Sequence, residues 1–178
     1  MLVLRVLIAL SAAAAAKRGR SHAWIMSMTK SRLASVYARD HDYIIQPSSW
    51  TITGLRIGSE PTEILDHDVA AASLGAALRR AQSAAKEGVE HPTDWKAHLL
   101  PLLQSAKIRS WNALQKSAKY CQVEALNHEL RITPFRNGGT SGPDKGYHPI
   151  ADHASTLPLH CSDKELGTAV ISALSFCS

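Results

Sequence analysis

The chain has few of the residues that fix a fold covalently or through metals. Of its 178 residues, three are cysteine: Cys121, Cys161 and Cys177. An odd number without close paired spacing excludes a disulfide framework and the common zinc and redox motifs. It fits a reducing compartment, with all three as small apolar packing residues. Long apolar runs are scarce as well. The one at the start, Met1 to Ala16, is interrupted by Arg5 and is short for a membrane-spanning helix, which needs about 20 residues. There is no Gly-x-Ser-x-Gly elbow, phosphate loop or dinucleotide fingerprint. The glycine-rich stretch Gly138 to Gly146 follows a strand pattern without opening a helix, so it lacks the donor array that holds phosphate and reads as a flexible loop.

What is present is an ordinary globular composition, 45% apolar and 20% charged, far from that of a disordered chain. The formal net charge of +5 is misleading, because Arg5, Lys17, Arg18 and Arg20 contribute four of the five positive charges. From Met28 onward, 16 Lys and Arg face 15 Asp and Glu. Nucleic-acid binding would call for clustered basic residues interleaved with aromatics. The body offers only scattered Lys96, Lys107, Arg109, Lys116 and Lys119. Residues 1–27 read as a leader whose basic cluster follows the apolar run, the reverse of a secretory signal. The expectation is an upstream extension with translation starting at Met26 or Met28, and a single domain over residues 28–178.

That domain carries an internal correspondence. A slide of 87 positions sets Val36, Ala38, His41, Ile45 and Pro47 over identical residues Val123, Ala125, His128, Ile132 and Pro134. Apolar and polar residues alternate on either side of an Asp40-His41-Asp42 or Asn127-His128-Glu129 tip, as in a half-buried hairpin. Pro47 and Pro134 are expected to close their strands or lie at an edge. A slide of 92 then sets Leu74-Gly75 over Leu166-Gly167, each opening a helical pattern. Glycine costs a helix about 1 kcal/mol relative to alanine. Its presence at equivalent places predicts that Gly75 and Gly167 let each helix approach the sheet closely.

The expected fold is therefore α+β: two hairpin-loop-strand-helix units, about 29–86 and 119–178, forming one sheet packed with helices. A helical connector, 87–118, lies between them. In the connector, Thr93 or Asp94 can cap the first helix and Ser110 the second, and Pro101 should kink or divide the first. Ser162 and Glu165 form a capping box.

No catalytic, cofactor-binding or metal-ligating residue is nominated. His148, Asp152, His153 and His160 cluster in sequence, but their spacing matches no ligand motif. The runner-up reading is a small metal-dependent or hydrolytic enzyme using this loop, residues 146–160; another is a periplasmic binding protein. The clearest charge run is acidic: Glu60, Glu63, Asp66 and Asp68, with no intervening base. It reads as a solvated segment or as a surface for a basic partner.

Four stretches carry a family resemblance: Glu87-Gly88-Val89-Glu90-His91-Pro92-Thr93-Asp94-Trp95, Ala106-Lys107-Ile108-Arg109-Ser110-Trp111, Ile132-Thr133-Pro134-Phe135-Arg136-Asn137-Gly138-Gly139, and Glu165-Leu166-Gly167-Thr168-Ala169 with Ala173-Leu174 and Cys177 following. In order and spacing, over about Ser35 to Ser178, the chain resembles immunity proteins of bacterial contact-dependent growth inhibition systems. The resemblance implies a cytoplasmic inhibitor with no turnover of its own. Its partner would be the toxic C-terminal domain, often a nuclease, delivered by a neighbouring cell. No direct nucleic-acid or membrane contact is expected. His91, Pro92, Trp95, Ser110 and Trp111 read as scaffold where the connector meets the sheet. The acidic residues Glu60, Glu63, Asp66 and Asp68 are the expected toxin contact.

Overall fold

The structure, a computed structural model, describes residues 31–177, so the leader and the start-site expectation lie outside the described residues. In chain order the strands and helices are β1 (Arg32–Ala38), β2 (Asp42–Trp50), β3 (Arg56–Gly58), β4 (Glu63–Asp66), α1 (Ala71–Ala84), α2 (Trp95–Ser105), α3 (Trp111–Ser117), β5 (Lys119–Leu126), β6 (Glu129–Asn137), β7 (Tyr147–Pro149), β8 (Ser155–Pro158) and α4 (Asp163–Ser175). A 3-10 turn, Ala151–His153, separates the last two strands.

All strands join one antiparallel sheet ordered β3-β2-β1-β5-β6-β7, with β4 also on β2 and β8 also on β6. The α+β expectation holds, with helices on both faces. The period-two pattern sends Ala34, Val36, Tyr43, Ile45, Cys121, Val123, Leu130 and Ile132 to one face, against Leu74, Leu78, Leu166 and Val170 of α1 and α4. The alternate residues Tyr37, Ile44 and Tyr120 face the connector, against Leu102 of α2, Ala106 at its end and Leu114 of α3. Tyr37 and Tyr120 stack there at 4.8 Å, and Trp111 meets Tyr37 edge-on at 5.9 Å.

In the central pair, Ser35 of β1 lies opposite Gln122 of β5, 87 positions on. The pairs Ala34–Val123 and Val36–Cys121 flank it. Neither proline closes its strand. Pro47 sits inside β2 and Pro134 inside β6, each where the outer neighbour changes, from β4 to β3 and from β8 to β7. In an antiparallel strand a residue's nitrogen and carbonyl point to the same side. The carbonyls of Pro47 and Pro134 accept from Ser59 and Ile150, each at 2.9 Å. The missing N–H of each proline thus faces a gap between two short strands, where no ladder bond is lost.

The two glycines also act differently from expectation. A Cβ on Gly75 would lie 1.9 Å from the carbonyl oxygen of Asp163, and one on Gly167 would lie 1.8 Å from that of Ala71. They bring α1 and α4 against each other, each glycine meeting the first residue of the other helix; the close approach is helix to helix, not helix to sheet.

Caps follow the sequence more closely. Ser162 and Glu165 form the reciprocal box at α4, and these hydrogen bonds lower the pKa of the Glu165 carboxyl. Asp94, not Thr93, caps α2, and Ser110 caps α3. Pro101 lies within α2, which runs past it as one helix. The Gly138–Gly146 loop is tied across itself by Gly138 N–H to Gly146 and Gly146 N–H to Gly139, at 2.8 and 3.0 Å. The Gln115 amide of α3 holds it from outside. It is a pinned turn and not the flexible loop its composition implied.

Candidate partner-binding site

The connector-facing side of the sheet is apolar at one end and polar toward the other. Ser35, Gln46, Ser48 and Gln122 occupy positions that would otherwise continue the Tyr37, Ile44 and Tyr120 cluster. The connector crosses this polar region because its start is stitched to the end of β2. Val89 N–H donates to Trp50 at 3.0 Å and Ile52 N–H to Val89 at 2.9 Å. The Oγ1 of Thr53 lies 3.0 Å from Nδ1 of His91. Asp94 then accepts from the N–H groups of Lys96 and Ala97, setting the direction of α2.

Between sheet and connector lies a cleft of about 590 Å³. Gln46, Ile57, Gly58, Ser59 and Glu60 line its sheet side, and residues from Val89 to Pro101 line the other. Its apolar wall comes from Ile57, Val89, Pro92, Ala97 and Pro101; its carboxylates are Glu60, Glu90 and Asp94. Among the described residues no Lys or Arg lines it, and His91 and His98 do. Glu60 and Glu90 are exposed, and the carboxylates of Glu60 and Asp94 already accept local hydrogen bonds, from Thr62 and from the first turn of α2.

A second hollow of about 380 Å³ shares Gln46, Ile57, Gly58 and His98 with the first and extends to Ser35, Ser48, Tyr120 and Gln122. Trp95 lines it, 45% exposed, with edge-on contacts to His91 and His98 at 5.6 and 5.9 Å. Arg56 also lines it, held 2.9 Å from Glu124 and 4.3 Å above the Trp50 ring. Burial lowers the guanidinium pKa, while Glu124 pulls it back up.

Polar side chains in this region are little exposed, and two buried nitrogens lack a partner among the described residues. Gln46 is 7% exposed, and its Nε2 lies 3.4 Å from the hydroxyl of Thr62. Ser48, also 7% exposed, makes no side-chain hydrogen bond among the described residues. The indole nitrogen of Trp50 and one terminal nitrogen of Arg56 are buried without partners.

The acidic run does not form one patch. Glu60 lies in the β3–β4 loop, its carboxylate folded onto the N–H and hydroxyl of Thr62 at 2.9 and 2.8 Å, and it reaches the cleft. Glu63 pairs with Arg80 of α1, Nε to Oε2 at 3.2 Å. Strand alternation sets Asp66 on the opposite face from Glu63. Asp68 is exposed in the turn before α1. Of the scaffold residues, Ser110 and Trp111 stand where α3 meets the sheet, and Trp111 borders the cleft system together with His91, Pro92 and Trp95. Gly75 and Gly167 are at the α1–α4 contact on the other face.

The loop histidines are held separately: Nε2 of His148 lies 2.8 Å from the Asp144 carbonyl, and His153 stacks on Phe176 at 4.1 Å. Among the described residues, no group of three or more His, Cys, Asp or Glu could hold a metal ion. Sequence reading passed over Gln46, Ser48, Arg56 and Glu90. The signal for the first two was a polar pair, Gln46 and Ser48, continuing the face of Ile44.

The stretches that build the cleft, from β2 through the connector, lie within a match to the model of the CDI immunity protein family that spans residues 32–177. The chain belongs to that family. No curated protein matches in sequence. Among solved structures, the immunity protein is similar to a Neisseria meningitidis protein of unknown function, with 22% identity, a TM-score of 0.67, and coverage of 85% of this chain and 98% of that one. It is also similar to a chain of a CdiA-CT/CdiI toxin and immunity complex from Yersinia pseudotuberculosis. There the identity is 17% and the TM-score 0.66, with coverage of 85% of this chain and 100% of that one. Both show the shared fold. Among the described residues, no helix is long and apolar enough to cross a membrane.

Proposed function

We propose that this immunity protein acts by stoichiometric capture, holding the toxin domain of its cognate growth-inhibition effector in the cytoplasm without turning anything over. The observation that carries the reading is the cleft between sheet and connector, with apolar walls, the carboxylates of Glu60, Glu90 and Asp94, no Lys or Arg among the described residues that line it, and an exposed Trp95 beside it. Interface energy concentrates in such large half-exposed aromatics, and opposite charge speeds encounter and sets register. A nuclease toxin fits this face, since a surface that binds phosphates is basic. Of the four acidic residues singled out in the sequence, Glu60 belongs to this face by position. Glu63 is already engaged by Arg80.

The test is co-expression with the toxin domain encoded beside this protein's gene. Cells making both should grow while cells making the toxin domain alone stop, and the purified pair should form a one-to-one complex. Equal killing with and without this protein would end the immunity reading for that pair. A toxin domain with no nuclease activity would remove the nuclease assignment alone.

A further inference from the structure

We infer that the turn between β2 and β3 is an apolar anchor for the toxin domain, with Ile52 and Leu55 as the side chains that the toxin covers. This rests on the capture reading above and extends the binding surface from the cleft onto the adjoining turn. Turns between strands are dominated by Gly, Pro, Asn, Asp and Ser, each of which serves the backbone. In Thr51-Ile52-Thr53-Gly54-Leu55 the glycine does so, at a φ of +79°. The two large apolar residues do not. Ile52 is 64% exposed, the most of any large apolar side chain among the described residues, and Leu55 is 43% exposed. Neither adds to the core, and clustered apolar exposure of this kind marks an interaction site.

The turn is also held stiffly. Thr51 N–H donates to the Leu55 carbonyl at 2.8 Å, Gly54 N–H to that of Thr51 at 3.0 Å, and Leu55 N–H to the Thr51 hydroxyl at 2.9 Å. Two further bonds tie it to the connector, from Ile52 N–H to the Val89 carbonyl and between Thr53 Oγ1 and His91 Nδ1. The turn contributes only backbone groups and threonine hydroxyls to these bonds, so the Ile52 and Leu55 side chains stay in solvent on a fixed support. A partner that covers them has little chain entropy to remove, and their burial goes into affinity. Val89 and His91 line the cleft, and His91 lies edge-on to Trp95 at 5.6 Å, so turn, cleft and Trp95 are continuous.

The occupant is the toxin domain and not a second copy of this chain. Membership of the immunity family supplies a protein partner. A symmetric pair would set the same surface against itself, and the cleft beside the turn carries Glu60, Glu90 and Asp94 with no Lys or Arg among its described lining residues. The patch that fits is apolar at its centre, against the turn, and basic toward the cleft.

The experiment measures affinity for the toxin domain encoded beside this gene in the wild-type protein and in I52S, L55S and the I52S/L55S double variant. I171S is the control, since Ile171 is 39% exposed but lies on α4. Urea unfolding checks that each variant folds, and sedimentation of the toxin-free protein reports self-association. The expected result is a loss of about tenfold or more for I52S/L55S, the size seen for hot-spot residues, with stability unchanged, I171S at wild-type affinity and a monomer without toxin. Wild-type affinity in folded I52S/L55S would overturn the inference and leave the capture reading standing. An equal loss in I171S would overturn it too, since the effect would not be local to the turn. A toxin-free dimer that I52S/L55S dissociates would give the turn to a second copy. If the wild-type protein neither binds nor rescues, the capture reading falls and the anchor falls with it.

Discussion

Cys121 and Cys177 show how burial converts a reactive residue into packing. Both lie in the core between the sheet and the α1–α4 pair, and their thiols are raised in pKa, chiefly by loss of water. Only the thiolate attacks an alkylating reagent, so a raised pKa and a closed surface act in the same direction. Cys161 differs, being half-buried at the foot of α4, where Arg79 donates to its carbonyl. Treating the native protein with a maleimide should therefore label Cys161 alone, and urea should expose the other two. Intact-mass counting checks it, and early labelling of Cys121 would mean that the core opens far more readily than its packing implies. The packing role was legible for Cys121, on the apolar beat of β5, and for Cys177, which continues the apolar spacing of α4 past its end. The surroundings of Gln46 were not, since what a strand glutamine meets depends on residues such as Thr62 and the distant connector.

Elements tell the same story with a sharper division. Caps, hairpin tips and the helical connector could be read because each is decided within about four residues. Ser162 with Glu165 and Asp94 before α2 are cases. The short strands β3 and β7 were missed because three residues carry too little pattern, and they exist only as outer partners of β2 and β6. Pro47 and Pro134 were read as ends because a proline inside a strand normally breaks a ladder; two short neighbours with a gap between them removed that objection. The glycines were noticed for the right cost and assigned the wrong neighbour. Alanine at Gly75 or Gly167 would gain about 1 kcal/mol of helix propensity. It would also place a methyl group under 2 Å from a backbone oxygen of the facing helix, and overpacking of this kind costs roughly 1–3 kcal/mol, occasionally more. Because a rigid backbone cannot swing aside, the clash should win. We expect G75A and G167A each to be less stable than wild type in urea unfolding, by similar amounts, since each meets the equivalent atom of the other helix. Unchanged stability in either variant would show that α1 and α4 can separate at little cost.

At the scale of the whole molecule, charge placement matters more than charge total. The chain from Met28 onward carries 16 basic and 15 acidic residues, so no overall field can draw a basic partner. Any steering must come from a local concentration, and the cleft mouth with Glu60 and Glu90 is the one assigned to binding. Fields from exposed charges decay over a Debye length of about 10 Å at 0.1 M salt and about 3 Å at 1 M. Association with the toxin domain should accordingly slow as salt rises, while dissociation, governed by the buried contacts at Trp95 and the cleft walls, should change much less. The E60Q/E90Q variant should begin slower at low salt and show a flatter dependence, converging on the wild-type rate at high salt. Stopped-flow or surface-based kinetics across that range would separate the two rates. Parallel salt slopes for variant and wild type would place the steering charges elsewhere on the molecule, with the β4 edge bearing Asp66 and the turn bearing Asp68 as the next residues to neutralise.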